Sequence, residues 1–258
     1  MIVLLEATLW CGALLMVAVP LDIAQAAQSE DWRYQCDSAV GPDPSATATA
    51  PSASTAAPED VTLRTPPATN PYASLTAPPG ANLSDWERAC ISAMPSAPYQ
   101  MPALRTPNSG VAVACAGALA VEQVGVRVVV GAGGLDGPSG DAFGPPVLTR
   151  YVTYLADLAT STGQCAPAAL PPATQHTACS PLLPETIAGQ GVCGQRVDIA
   201  AASAGDLVFW DYQDSRPNRV GIALGAGEIV TADLSAGRFV RQQIPHDADV
   251  RVKRVLGR

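Results

Sequence analysis

The chain has 258 residues, a formal net charge of −8, 48% hydrophobic side chains and 24 prolines. That hydrophobic fraction supports one sizeable core, while prolines gathered mostly in the first half point to a long segment that does not fold. No block of Lys or Arg occurs, so the footprint that grips a phosphate backbone is missing and nucleic acid is not an expected partner.

An apolar run from Ala7 to Val19 is followed by Pro20 and the small-residue pattern Ala24-Gln25-Ala26. Its length and order are those of a secretory signal, although Glu6 and the lack of any basic residue before Arg33 depart from the usual basic flank. Residues 1–26 are therefore expected to be a signal peptide or, if uncleaved, an N-terminal membrane anchor shorter than the roughly 20 apolar residues of a full span. Cys11 falls inside this segment, next to bulky Leu9 and Trp10, and is not expected to carry lipid. The other cysteines, Cys36, Cys90, Cys115, Cys165, Cys179 and Cys193, form an even set in a chain that leaves the cytoplasm, which favours disulfides. No spacing makes a CxxC pair and the only histidines are His176 and His246, so neither a metal nor a cofactor is expected.

Residues 27–81 read as a linker, and from Gly41 to Ala81 the composition is Pro, Ala, Ser and Thr. Such a stretch buries too little apolar surface to offset the entropy of ordering it, and its prolines hold it extended. Order is expected to resume at Asn82. Ser84 and Glu87 form a capping-box pattern that starts a short helix through Met94. Ser109 to Val124 is a continuous apolar run long enough for a buried helix. Gly131 to Pro146 is a Gly/Pro/Asp-rich loop. Leu148 to Thr160 is helical, with Leu148, Tyr151, Val152, Leu155 and Leu158 on one face.

A cysteine-rich irregular stretch follows, and after Gly205 the texture changes to short β-type runs at Leu207–Trp210, Val220–Leu224, Glu228–Ala232, Arg238–Gln243 and Val250–Leu256. Helices first and antiparallel strands afterwards give an α+β domain spanning 82–258, with a Cys-rich insertion at about 161–194.

The run Gly205-Asp206-Leu207-Val208-Phe209-Trp210 followed by Val220-Gly221-Ile222-Ala223-Leu224-Gly225 resembles the paired core strands of NlpC-type peptidases, papain-like enzymes that cut the peptide stems of bacterial cell wall. Val128 to Tyr151 is similar to that family's loop and nucleophile helix, and Gln195-Arg196-Val197-Asp198-Ile199 to the lead-in to the core strand. The resemblance runs from about Ser109 to the C-terminus, interrupted after Thr160. It implies a papain-like fold with a Cys at the helix start, a His just before the Val-Gly-Ile run, and a second His about twelve positions later. This sequence has Pro145, Arg219 and Thr231 at those places. Proline offers no nucleophile, and arginine stays protonated and cannot accept a proton.

Three readings follow. A non-catalytic envelope domain would bind peptidoglycan peptide stems, or an envelope protein, through the relic cleft, with Arg219 and its neighbours Asn218 and Arg216 clamping a carboxylate. A hydrolase with a relocated nucleophile would use Cys115, in Val113-Ala114-Cys115-Ala116-Gly117, or Cys165 or Cys179 with His176 as base. A spacer-mounted assembly domain would show an exposed apolar patch. Asp206 and Trp210 are expected to serve the strand's turn and the core, His246 to be a solvated loop residue, and a Cys90–Cys115 bridge would join the first two helices.

Overall fold

The computed structural model describes residues 30–45, 67, 69–77, 79–165, 170, 179–246 and 249–257. The expected signal segment, Cys11 and His176 lie outside the described residues.

Along β4 (Leu207–Gln213) Leu207 and Phe209 face one way and Val208 and Trp210 the other, the period-two pattern of a strand buried on both sides. It pairs antiparallel with β5 (Arg216–Gly225), which pairs with β6 (Glu228–Asp233), and β6 with β7 (Arg238–Gln243). Two tight hairpins set this register. Asp214 and Ser215 have φ 48° and 60°, and Ala226 and Gly227 have 52° and 77°, the paired positive angles that match a two-residue turn to the twist of its strands. β8 (Arg251–Arg254) and β3 (Gln195–Val197) extend the sheet at one side. At the other side lie β1 (Arg127–Val128) and β2 (Ala142–Phe143), a short parallel pair whose second strand falls inside the expected loop at Gly131 to Pro146. The full order is β2-β1-β7-β6-β5-β4-β8-β3.

One face of the sheet is covered by helices α3 (Val111–Glu122) and α4 (Pro145–Thr162), where Leu119, Leu148, Val152 and Leu155 join Leu207, Phe209 and Ile222 in the main core. The opposite face buries Val208, Ala223, Ile229 and Val252, with Leu104 and Trp210 packed at the edge. α4 begins on Pro145, whose fixed φ suits a first helical turn, and ends on Gly163 at φ 69°. Leu148, Val152 and Leu155 of its expected apolar face are buried, and Tyr151 and Leu158 are partly so. α2 (Asp85–Ala93) carries the reciprocal capping box of Ser84 and Glu87. α3 is buried on one flank only; Val111 and Val121 on its other flank are 55% and 46% exposed. Within the Cys-rich insertion a short α5 (Ile187–Gly191) is capped by Thr186. No helix among the described residues is long and apolar enough to cross a membrane.

The expected linker at 27–81 requires correction. Glu30–Val40 forms a helix, α1, and Trp32, Cys36 and Val40 pack with Leu75, Trp86, Cys90 and Met94 into a second small core. An isolated helix of this length is marginal in water; this one is held by α2 and by the Cys36–Cys90 disulfide. The other bridges are Cys115–Cys165 and Cys179–Cys193, so the expected Cys90–Cys115 pairing is wrong. Its premise omitted α1, which brings Cys36 against Cys90.

The small core is tied to the sheet through Asp37, whose carboxylate accepts from Arg196 Nη1 at 2.6 Å and Arg251 Nε at 2.7 Å. Burial by itself would raise the Asp37 carboxyl, but hydrogen bonds and charge from Arg251, then Arg196, outweigh it and hold the group below its ordinary value. Gln35 and Gln100 exchange hydrogen bonds, and Gln100 Nε2 also donates to the Gly194 carbonyl. Gly41, at φ 87°, lies flat against the Tyr212 ring, where any Cβ would collide.

Candidate functional site

β4, β5, β6 and β7 together build an open cleft of about 470 Å³ lined by Trp210, Asp211, Arg219, Thr231, Ala232, Asp233 and Gln242. Its position follows from register: Trp210 stands opposite Arg219 on β4 and β5, and Thr231 opposite Gly221 on β5 and β6. Arg219 and Thr231 both line it. Arg216 and Asn218 do not: both are exposed on β5 and absent from the lining, because alternate strand residues point to opposite faces. His246 is exposed in the loop after β7.

Arg219 is half-buried. Its Nε is 3.8 Å from Asp211 Oδ2, and Nη1 donates weakly to the Ala232 carbonyl at 3.5 Å. These contacts are long and do not saturate its fork of donors. Asp211 reaches it from a left-handed backbone, φ 57°, which Asp tolerates better than most residues. The Ser235 hydroxyl, then the Ala236 N–H, the Ser235 N–H and the Arg219 charge hold the Asp233 carboxyl below its ordinary value. The cleft therefore combines one cation with two carboxylates around an indole. Asp211, Asp233 and Gln242 were not read from sequence; Asp233 and Gln242 share strand parity with Thr231 and Arg219, whereas Asp211 has the opposite parity to Trp210 and joins the cleft at a residue whose backbone is left-handed. Trp210, expected in the core, serves both places, packing on the sheet and walling the cleft.

Thr231 Oγ1 donates to the Val220 carbonyl at 2.8 Å, so its hydroxyl is committed to the strand. Pro145 heads α4 and is not among the lining residues. A helix start normally offers unpaired N–H groups to an anion. Here Pro145 and Pro146 have none, and the next two, on Val147 and Leu148, both donate to the Gly144 carbonyl at 3.0 and 2.9 Å. Gln190 of α5 binds the Pro146 carbonyl and the Thr149 hydroxyl, fixing this helix end from below. The other candidate nucleophiles are also accounted for: Cys115, Cys165 and Cys179 are all in disulfides. Asp206 does more than shape a turn, since it is buried and forms a two-pronged pair with Arg254 at 2.9 Å while accepting from the Ser203 N–H.

Comparison with solved structures returns one family repeatedly. The neighbours are NlpC/p60 domains. The peptidoglycan hydrolase RipB from Mycobacterium tuberculosis is 24% identical over 57% of this chain and 66% of its own, with a TM-score of 0.40. The P60 domain of the M. avium subspecies paratuberculosis antigen MAP1204 is 20% identical, covering 57% and 96%, also at 0.40. RipD from M. tuberculosis, described as a non-catalytic NlpC/p60 protein adapted to peptidoglycan binding, is 18% identical over 57% of this chain and 100% of its own, with a TM-score of 0.39. No family model and no curated protein matches the chain.

Proposed function

We propose that this chain is an exported, non-catalytic NlpC-like domain that holds peptidoglycan peptide stems in the cleft around Arg219, on the outer side of the cytoplasmic membrane. The observation that carries this reading is the head of α4, which has proline where a thiol is needed and no unbonded N–H among its first four residues. A thiolate could be neither formed nor stabilised there. The base position holds a permanent cation, and the orienting position holds a hydroxyl bound to the backbone. Binding needs none of these groups. Arg219 keeps donors for a bidentate carboxylate contact, and Asp211 and Asp233 supply acceptors for the amino and amide groups of a peptide. The three disulfides support an oxidising compartment.

The test is incubation of the protein with purified peptidoglycan, separating bound from free protein and assaying the soluble fraction for muropeptides. Binding without release is expected. Release that is blocked by thiol alkylation would overturn the reading and restore a relocated cysteine nucleophile; absence of binding would transfer the cleft to a protein partner.

A further inference from the structure

β4 breaks its own alternation near its end. Leu207 and Phe209 belong to the main core, and strict parity would send Asp211 the same way and Tyr212 to the side of Val208 and Trp210. The reverse is found: Asp211 lines the cleft beside Trp210, and Tyr212 packs against the main core. Asp211 makes the exchange through its left-handed backbone, φ 57°, while the ladder to β5 keeps one register, with Trp210 opposite Arg219 and Tyr212 opposite Pro217. No extra residue is inserted, so the crossover is not a bulge.

A residue with a side chain stays in that backbone region only where its surroundings over-determine it. The Asp211 carboxylate supplies little, since it stands 3.8 Å from Arg219 Nε and is 44% exposed. The constraint comes from its neighbour. The Tyr212 N–H donates to Asp249 Oδ2 at 3.1 Å, and the Tyr212 ring lies against Gly41, where a Cβ would stand 2.3 Å from Cδ1. Gly41 is itself fixed from two sides: its N–H donates to the Asp37 carbonyl at 3.0 Å, and its carbonyl accepts from Trp86 Nε1 at 2.9 Å. Burial holds the Tyr212 hydroxyl above its ordinary pKa, and the charges acting on it are those of Arg251, Arg196, Asp37 and Asp249. Tyr212 is therefore seated where α1, α2 and the sheet meet, next in sequence to a residue of the cleft.

We propose that Tyr212 is the positioning residue of this cleft: clamped under the end of α1, it holds Asp211 in the left-handed conformation that places its carboxylate beside Arg219. The N-terminal helical pair thereby controls a cleft that none of its described residues lines. The effect on affinity rests on the peptide-stem reading above; the effect on cleft geometry does not.

Both effects are measured on the full chain. With fluorotryptophan incorporated, the Trp210 fluorine resonance, assigned by its loss in Trp210→Phe, reports the cleft without any ligand, and calorimetric titration with a soluble stem peptide reports affinity. Tyr212→Ala removes the ring and is expected to move the Trp210 resonance and weaken peptide binding by roughly fivefold or more, the scale of coupling carried by packed contacts. Gly41→Ala drives a Cβ into the ring from the α1 side; it is expected to do the same, and it decides the matter if Tyr212→Ala does not fold. Tyr212→Phe keeps the ring and is expected to retain the wild-type resonance and affinity. A merely structural part for Tyr212 would lower the denaturant midpoint and leave the folded-state resonance in place. An unmoved Trp210 resonance in Tyr212→Ala and Gly41→Ala overturns the proposal, as does a moved resonance with unchanged affinity. A wild type that binds no stem peptide removes the proposed function instead, and the resonance alone then decides the positioning role.

Discussion

At the head of α4, two adjacent prolines remove two N–H donors in one place, and the next two amides close onto Gly144. On the proposed non-catalytic reading, restoring the family's side chains alone is not expected to restore its chemistry. Pro145→Cys combined with Arg219→His and Thr231→His is expected to release no muropeptides from peptidoglycan, because Pro146 still withholds a donor from the thiolate and from any oxyanion beside it. Efficient release by that triple variant would refute this account of the site. Arg219 is the opposite case, a half-buried residue that lines an open cleft and makes only long contacts within the chain. Arg219→Ala is expected to weaken peptide-stem binding about tenfold or more, the value of one charge-assisted hydrogen bond at about 1.5–3 kcal/mol, with an unchanged melting temperature. Calorimetric titration with a soluble stem peptide decides it, and unaltered affinity would remove the clamp from the cleft.

Among the elements, α1 was hidden in the sequence. Trp32, Cys36 and Val40 recur at helical intervals, but they border a long Pro/Ala/Ser/Thr tract, and composition averaged over that region pointed to a linker. What orders them is contact with α2, which no local pattern records. Asp37 then joins this pair of helices to β3 and β8 through Arg196 and Arg251. Asp37→Asn leaves two arginines facing a neutral amide and is expected to cost about 3 kcal/mol, read as a lower denaturant midpoint. The same carboxylate sets an acid limit. Its folded-state value lies below the unfolded value of about 3.9, so its contribution is complete above that pH and fades as pH falls through the folded value. The asparagine variant should lose this part of the acid transition, followed by tryptophan fluorescence from Trp32 and Trp86; an identical transition in both proteins would place the lock elsewhere. Cys36 and Cys90 are 54 residues apart, and Cys36→Ser with Cys90→Ser is expected to destabilise the small core by about 4 kcal/mol, measurable by hydrogen exchange in α1 and α2.

At the scale of the whole molecule, the antiparallel strands after Gly205 and both main helices were legible from local patterns: short β-type runs separated by turns for β4 to β7, a continuous apolar run for α3, and a 3.6-residue stripe for α4. The capping box at Ser84 and the proline start of α4 are chemistry local to a few residues, so sequence determined them too. The identities of Pro145, Arg219 and Thr231 are likewise plain in the sequence, and the resemblance to NlpC-type peptidases implies that they stand where thiol, base and orienter would be. The tertiary structure alone decided which cysteines meet, because a pairing depends on distances between helices far apart in the chain. It alone joined Asp211 and Asp233 to Arg219, through strand registers fixed by two hairpin turns, and separated Arg216 and Asn218 from it through the alternation of a strand. It also left one flank of α3 uncovered among the described residues, which the uniform apolar run from Val111 to Val121 could not reveal: hydrophobicity says that a surface prefers burial, and only the packing of neighbouring elements determines which side obtains it.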